Sequence, residues 1–218
     1  MNKSSAEPLW RPYPESFDPV AANEIRLAVT LPDQHHVVMG ASGKAEREVY
    51  ADRLAEYSIP LYKRKGGGGT VLLGPETIII TVHAHAVHPF HNLAYFSAVN
   101  RALITVFRTW RKLDYGERGI SDIAVGPKKI LGSSIYRRRD LLLYQASLLV
   151  HLNIDLVEKT LRHPPKEPDY RAGRDHRDFM TCLADLGIPR PKAQLADDLR
   201  EQLPPLLQQE IGNVNGNP

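Results

Sequence analysis

The run Tyr62-Lys63-Arg64-Lys65-Gly66-Gly67-Gly68-Gly69-Thr70-Val71 drives three cations into four glycines and then into a β-type apolar segment. Glycines without Cβ adopt φ > 0 and let a ligand approach the main chain closely, while their N–H groups and the neighbouring Arg and Lys supply donors and positive charge. Two readings follow from these residues: a loop that holds an anion, or a solvated hairpin turn with basic flanks. A P-loop needs Lys-Ser or Lys-Thr after the glycines, and a dinucleotide fold needs a spaced glycine fingerprint opening a helix. Neither occurs, so neither common nucleotide motif accounts for the run.

Around the glycines the chain mixes strand and helix signals. Residues 77–82, Thr-Ile-Ile-Ile-Thr-Val, carry the strongest strand signal because all six are β-branched isoleucine, threonine or valine in an unbroken run. Shorter strands are expected at 37–39, 59–63, 70–73, 120–125 and 129–131, with a turn at 116–119 and a hairpin at Gly126-Pro127. Residues 141–152 are almost continuously apolar and read as a central strand. Helical spacing appears at 20–29 through Ile25, Ala28 and Val29, and across the charged segment 44–57. It is clearest at 93–110, where Phe96, Val99, Leu103, Val106, Phe107 and Trp110 recur at three and four. Further helices are expected at 155–161, 179–186 and 191–211, the last interrupted by Pro204-Pro205. Strict βαβ alternation is absent, which favours an α+β fold with a mainly antiparallel sheet flanked by helices. Pro8, Pro12, Pro14 and Pro19 mark residues 1–19 as an extended N-terminal arm that docks through Trp10 and Tyr13 or stays loose.

The 218 residues suit one domain with a sizeable core, and 42% hydrophobic with 24% charged residues are globular values. A net charge of +3 is too mild to argue for nucleic acid and suits a small anionic ligand or an acidic protein partner. The single cysteine, Cys182, excludes an internal disulfide framework and fits a reducing compartment. No apolar run reaches membrane-spanning length and the first residues lack a signal-peptide core, so a cytoplasmic location with no membrane partner is expected.

Several pieces stand in one order: Val37-Val38-Met39-Gly40, Arg64 to Val71 with its glycines, Ser121-Asp122-Ile123, Lys128-Lys129-Ile130-Leu131-Gly132-Ser133-Ser134, and Arg174-Asp175-His176-Arg177 before Phe179 and Leu183. Over residues 20–187 this resembles the lipoate–protein ligase and octanoyltransferase family, relatives of biotin–protein ligases. The family pattern is Arg-x-x-Gly-Gly-Gly-(Ala/Thr)-Val, an (Asn/Ser)-Asp strand and a Lys-(Ile/Val)-x-Gly-Ser strand. The resemblance implies a catalytic domain at 20–190 with the architecture of class II aminoacyl-tRNA synthetases, preceded by the arm at 1–19. Residues 191–218 then form a C-terminal helix and polar tail.

The resemblance also implies roles. Arg64, Gly67, Gly68, Gly69 and Thr70 form the loop over the acyl chain and the adenylate phosphate, with Val71 in the pocket wall. Lys129 is the catalytic lysine, placed on the acyl carbonyl and phosphate oxygens. Gly132, Ser133, Gln145 and Ala146 join the substrate pocket, Asp122 holds the nucleotide or its Mg²⁺, and residues 164–183 form a mobile adenylate-binding loop. The implied reaction uses ATP and Mg²⁺ to convert lipoate to lipoyl-AMP and transfers the acyl group to a lysine of a lipoyl-accepting domain. About thirty residues follow Gly187, too few for the accessory domain of bacterial lipoate ligases. Either a separate accessory subunit supplies it or this domain suffices.

The chain departs from the pattern at Leu72-Leu73-Gly74, where ligases carry a His and an Asp. It departs again at Tyr144-Gln145-Ala146 in place of His-His-Gly, and at Cys182-Leu183 in place of Asn-Leu. The alternative activity is an octanoyl or lipoyl transferase acting without ATP, from an acyl carrier protein or a preformed acyl-adenylate. The carrier route passes through a cysteine thioester, and Cys182 has no basic sequence neighbour to lower its pKa. His83, His85, His88 and His91 suggest a metal, but no Cys or carboxylate lies among them, and they read as a strand end with solvent-facing histidines. The Tyr136-Arg137-Arg138-Arg139 cluster is the remaining basic patch. Without interleaved aromatics it reads as a solvated turn, and no nucleic-acid partner is expected.

Overall fold

The computed structural model describes residues 9–17, 20–22 and 24–216. In chain order these contain β1 (Arg11–Pro12), β2 (Ile25–Thr30), β3 (His36–Met39), α1 (Ala45–Glu48), α2 (Ala51–Glu56), β4 (Leu61–Lys63), β5 (Val71–Leu73) and β6 (Thr77–His85). They continue with α3 (Asn92–Trp110), β7 (Tyr115–Arg118), β8 (Asp122–Val125), β9 (Lys128–Arg138), β10 (Leu141–Leu149), α4 (Ile154–Thr160), α5 (His176–Phe179) and α6 (Lys192–Asn215). The fold is α+β, and its larger sheet is antiparallel at every pairing, with strand order β2-β6-β10-β9-β8-β7. A four-stranded sheet, β1-β4-β3-β5, lies beside it, parallel between β1 and β4 and between β3 and β4.

The six-stranded sheet buries one face under α3 and α6. Ile78, Ile80 and Val82 of β6 and Leu142, Tyr144 and Leu148 of β10 alternate at period two on that face. Helix α3 answers with Tyr95, Val99, Leu103 and Val106, and α6 with Leu195, Leu199, Leu203, Leu207 and Ile211, a stripe spaced by four. That stripe explains why α6 runs on without the expected interruption. Pro204 and Pro205 fall on the exposed side, where water satisfies the carbonyls that they cannot bond, while Leu203 and Leu207 keep the helix on the sheet.

Five other expectations are corrected. The segment expected as a helix at 20–29 is strand β2: Ile25, Leu27 and Val29 turn inward and Arg26, Ala28 and Thr30 outward, so the operative period is two. The single helix expected at 44–57 is two short ones, divided where Val49 bridges Leu161 and Tyr50 N–H donates to Thr160 O at 2.9 Å. The strand expected at 129–131 extends through Arg138, and the turn at 116–119 belongs largely to β7. The helix expected at 179–186 does not form, because its main chain bonds the sheet instead. Thr181 N–H donates to Lys129 O, Leu183 N–H to Leu149 O and Ala184 N–H to Val150 O. Of the expected arm, only residues 9–17 are described: Arg11–Pro12 pairs with Tyr62 and Lys63, and Trp10 and Tyr13 pack on the small sheet, so this part docks.

Candidate active site

The sheet face that turns away from α3 and α6 opens onto a cavity of about 1220 Å³. All twelve expected site residues line it: Arg64 and Gly67 to Val71 from the glycine loop, Asp122, Lys129, Gly132 and Ser133 from β8 and β9, and Gln145 and Ala146 from β10. Val38, Leu73, Ile79 and Leu149 give part of its wall an apolar character, and residues 164–171 with Phe179 and Met180 roof it.

A bulge in β9 sets the chemistry of the cavity floor. Asp122 pairs with Gly132 and Ile123 with Leu131, but Ala124 pairs with Lys129, so Ile130 is an extra residue. Ile130 and Leu131 are therefore both fully buried in the core, and Lys129 and Gly132, three residues apart, share the cavity face with Asp122. Without the bulge, strand alternation would send one of them into the core. The Lys129 side chain runs across Gly132 to Asp122, with Nζ 2.8 Å from Oδ1. A Cβ on Gly132 would stand 2.5 Å from that Nζ. The other Asp122 oxygen, Oδ2, accepts a hydrogen bond from the Tyr170 hydroxyl at 2.8 Å. Burial, the Asp122 charge and this hydrogen bond hold the Tyr170 hydroxyl well above the usual tyrosine range, so it remains a donor.

The glycine loop is braced from within. Arg64, 8% exposed, donates to Gly67 O at 2.6 Å, Gly69 O at 2.8 Å and Val38 O at 3.2 Å. Its guanidinium thus bonds the loop's own carbonyls, and burial lowers it to about 10, still charged at neutral pH. Drawing carbonyls inward shapes the loop on which an anion would rest. Gly40 is where the loop touches the small sheet: a Cβ there would lie 2.0 Å from Gly68 O. Gly68 itself has φ +89°, whereas Gly67 and Gly69 have ordinary φ and nothing within 4 Å of a Cβ. The Thr70 hydroxyl donates to Glu48, a buried carboxylate that also accepts the Lys44 N–H at 3.1 Å.

Glu48 is not expected at the site, and Tyr170 is expected there only as part of the 164–183 segment, with no role of its own. Their partners lie 22 and 48 residues away, so no local spacing announces them. Asp122 does not fit a protein-held cation: both its oxygens are engaged, and no group of three His, Cys, Asp or Glu able to hold a metal occurs among the described residues. His83 and His85 lie on β6 as expected, and His88 and His91 stack on each other at 4.9 Å. Tyr136, Arg137 and Arg138 are strand rather than turn, and Arg137 donates to Ala86 O at 2.6 Å and to His88 O. Cys182 is 2% exposed, and burial raises its thiol. No helix among the described residues is long and apolar enough to cross a membrane.

The sequence pattern of the lipoyl protein ligase A/B catalytic domain matches residues 20–203. Lipoate-protein ligase A subunit 1 of Thermoplasma acidophilum is 25% identical over 158 residues, which span 68% of this chain and 60% of that protein. Among solved structures, a bi-partite lipoate protein ligase with its E2 lipoyl domain from Thermoplasma acidophilum superimposes with a TM-score of 0.71 at 20% identity, covering 89% of this chain and 84% of that one. A putative lipoate protein ligase of the same organism with bound lipoic acid gives 0.71 at 20% identity, covering 88% and 80%. A lipoate-protein ligase A bound with ATP gives 0.68 at 21% identity, again covering 88% and 80%.

Proposed function

This chain belongs to the lipoyl protein ligase A/B catalytic domain family, and on that premise we propose that it activates lipoate with ATP and passes the acyl group to a lysine of an acceptor domain. The observation that carries the reading is the convergence of the Lys129 ammonium and the glycine-loop main chain on one cavity with a partly apolar wall. Its volume suits a nucleotide together with an aliphatic acid, since pockets for drug-sized ligands run to roughly 1,000 Å³.

In the first half-reaction a lipoate carboxylate oxygen attacks the α-phosphorus of ATP and pyrophosphate leaves. In the second, the neutral amine of the acceptor lysine attacks the acyl carbon, AMP leaves, and the amine proton is lost. Negative charge builds on phosphoryl and carbonyl oxygens in both halves, and a fixed cation with main-chain N–H donors is what stabilises it. Lys129, held over Gly132 by Asp122, supplies the cation at the cavity face. Gly67 and Gly69, free of close protein contacts at Cβ, let those oxygens approach the loop. Asp122, bonded by the Tyr170 hydroxyl, keeps the lysine at that face.

The bound lipoic acid and ATP of the two Thermoplasma-type and ligase A structures support the choice of substrates. The bi-partite ligase and the subunit 1 relative support an acceptor lipoyl domain and a separate accessory chain as partners. Burial of Cys182 weighs against transfer from a carrier protein through a thioester. The test is incubation of the protein with lipoate, ATP and a lipoyl domain, read by mass spectrometry, beside parallel reactions supplied with lipoyl-AMP or with octanoyl carrier protein and no ATP. Lipoyl-AMP formation or ATP-dependent acylation is expected. Acylation from the carrier protein alone would replace the ligase reading with the transferase one.

A further inference from the structure

The segment 164–181 holds Lys129 at both ends. At the main chain, Met180 bridges Lys129 and Thr181 N–H donates to Lys129 O at 2.9 Å. At the side chain, the link runs through Asp122, whose Oδ2 takes the Tyr170 hydroxyl and whose Oδ1 takes Lys129 Nζ, both at 2.8 Å. We propose that Tyr170 is a positioning residue: its hydroxyl fixes the Asp122 carboxylate so that the opposite oxygen holds the Lys129 ammonium over Gly132. Placement of the lysine is thereby tied to seating of the 164–181 segment.

Among the described residues no other side chain performs that task. Gly132 offers the lysine stem no side chain to lean on, and the ammonium has no other ion-pair partner among the described residues. A carboxylate with one partner can rotate about its terminal torsion, which is broad and roughly two-fold; a second bond to the other oxygen removes that freedom. Tyr170 is itself fixed. Its ring packs on Phe179 with centroids 5.1 Å apart, its carbonyl accepts from Arg174 Nη2 at 2.7 Å, and a Cβ on Gly119 would stand 3.6 Å from its ring. The hydroxyl that fixes Asp122 and the residues that roof the cavity belong to the same stretch of chain. The lysine is thereby ordered where the roof limits access of water.

The kinetic consequence rests on the ligase reading, whereas the geometry does not, and the test separates them. Tyr170→Phe keeps the ring and removes one hydroxyl. Lys129 labelling by limiting acetic anhydride, with exposed Lys128 as internal reference, is expected to rise about threefold or more, the scale of a lost hydrogen bond. Single-turnover formation of lipoyl-AMP is expected to slow roughly tenfold to a hundredfold, with KM for lipoate within about twofold, because a misplaced cation affects the transition state more than binding. Tyr170→Ala, which also opens the roof, is expected to raise KM as well. An unchanged Lys129 to Lys128 labelling ratio in Tyr170→Phe overturns the proposal whatever the kinetics. Wild-type protein that makes no adenylate, with the labelling change intact, leaves Tyr170 as the positioning residue and removes the ligase reading instead.

Discussion

Gly132 provides the space in which the Lys129 ammonium lies: a Cβ at 132 would be 2.5 Å from Nζ and 2.7 Å from Cε. The position needs no left-handed backbone, so the strand itself accepts alanine. Gly132→Ala is expected to cost about 1–2 kcal/mol, because the Asp122 oxygen left without its lysine outweighs the unfolded-state entropy that alanine removes. The lysine, being flexible, gives way and loses Asp122. Adenylate formation should then fall by about a hundredfold. Thermal unfolding and pyrophosphate release measured on the same sample check both halves, and an unchanged rate would dissociate the resting place of the lysine from its working place.

Removal of the cation itself is the harsher experiment. Lys129→Met keeps the stem and deletes the ammonium, and the loss of one preorganised donor to a developing oxyanion costs about 10²–10³ in rate. Asp122, 6% exposed, then retains only Tyr170, so a stability loss of about 1–3 kcal/mol is expected from the unpaired oxygen. Restoring stability by Asp122→Asn in the same chain without restoring rate would separate the two effects. A Lys129→Met protein as active as the wild type would remove the lysine from the chemistry.

The glycines divide into those the fold requires and those it does not. Gly68 has φ +89° and a Cβ there would meet Arg64 Nη2 at 3.0 Å, so Gly68→Ala should destabilise by about 1–3 kcal/mol. Gly67 has neither constraint. Gly67→Ala is expected to unfold at the wild-type denaturant midpoint while the KM for lipoate or ATP rises, which assigns that glycine to the ligand rather than to the loop. Equal loss of stability in both variants would refute the distinction.

This division also shows what the amino-acid sequence disclosed. The glycine run stands out on its residues alone, as an anion loop or a solvated turn, whereas Asp122 and Lys129 are singled out only by the order of motifs that resembles the ligase family; the fold brings all of them to one cavity. The Ile130 bulge was not legible, because the apolar pair Ile130-Leu131 fits an ordinary strand equally well. Strand β2 was misread as helix for a related reason. Ile25, Ala28 and Val29 satisfy a three-and-four spacing, and only pairing with β6 selects the two-residue period. The contacts of Tyr170 and Glu48 were not legible because they depend on partners brought close by the fold.

His176 gives the site segment a defined response to acid. It is half-buried beside Arg171, and desolvation, reinforced by that guanidinium, lowers its pKa to about 4 from the ordinary 6.5. Between those values the unfolded chain binds the proton and the folded one does not, so stability declines as pH falls from 6.5 and levels off below about 4. After allowance for partial solvent access, the loss attributable to this side chain is about 1–2 kcal/mol. Denaturant unfolding at pH 7 and pH 4.5 should show it, and His176→Gln should flatten the difference by that amount. An identical pH slope in the variant would place the acid sensitivity elsewhere.

Cys182 separates the ligase from the transferase by chemistry alone. A thioester route requires a thiolate that can reach the acyl donor. Here the thiol is 2% exposed, and burial raises its pKa, which suppresses both the thiolate and its access. Its neighbours Thr181 and Leu183 are fixed by main-chain bonds to Lys129 and Leu149, so the segment has little freedom to present the sulfur. Cys182→Ala is therefore expected to keep ATP-dependent acyl transfer within about twofold, with about 1 kcal/mol of stability lost from the small cavity left behind. Capture of an acyl-thioester on the wild-type protein, together with inactivity of Cys182→Ala toward the same acceptor, would reverse that assignment and make the sulfur the acyl carrier.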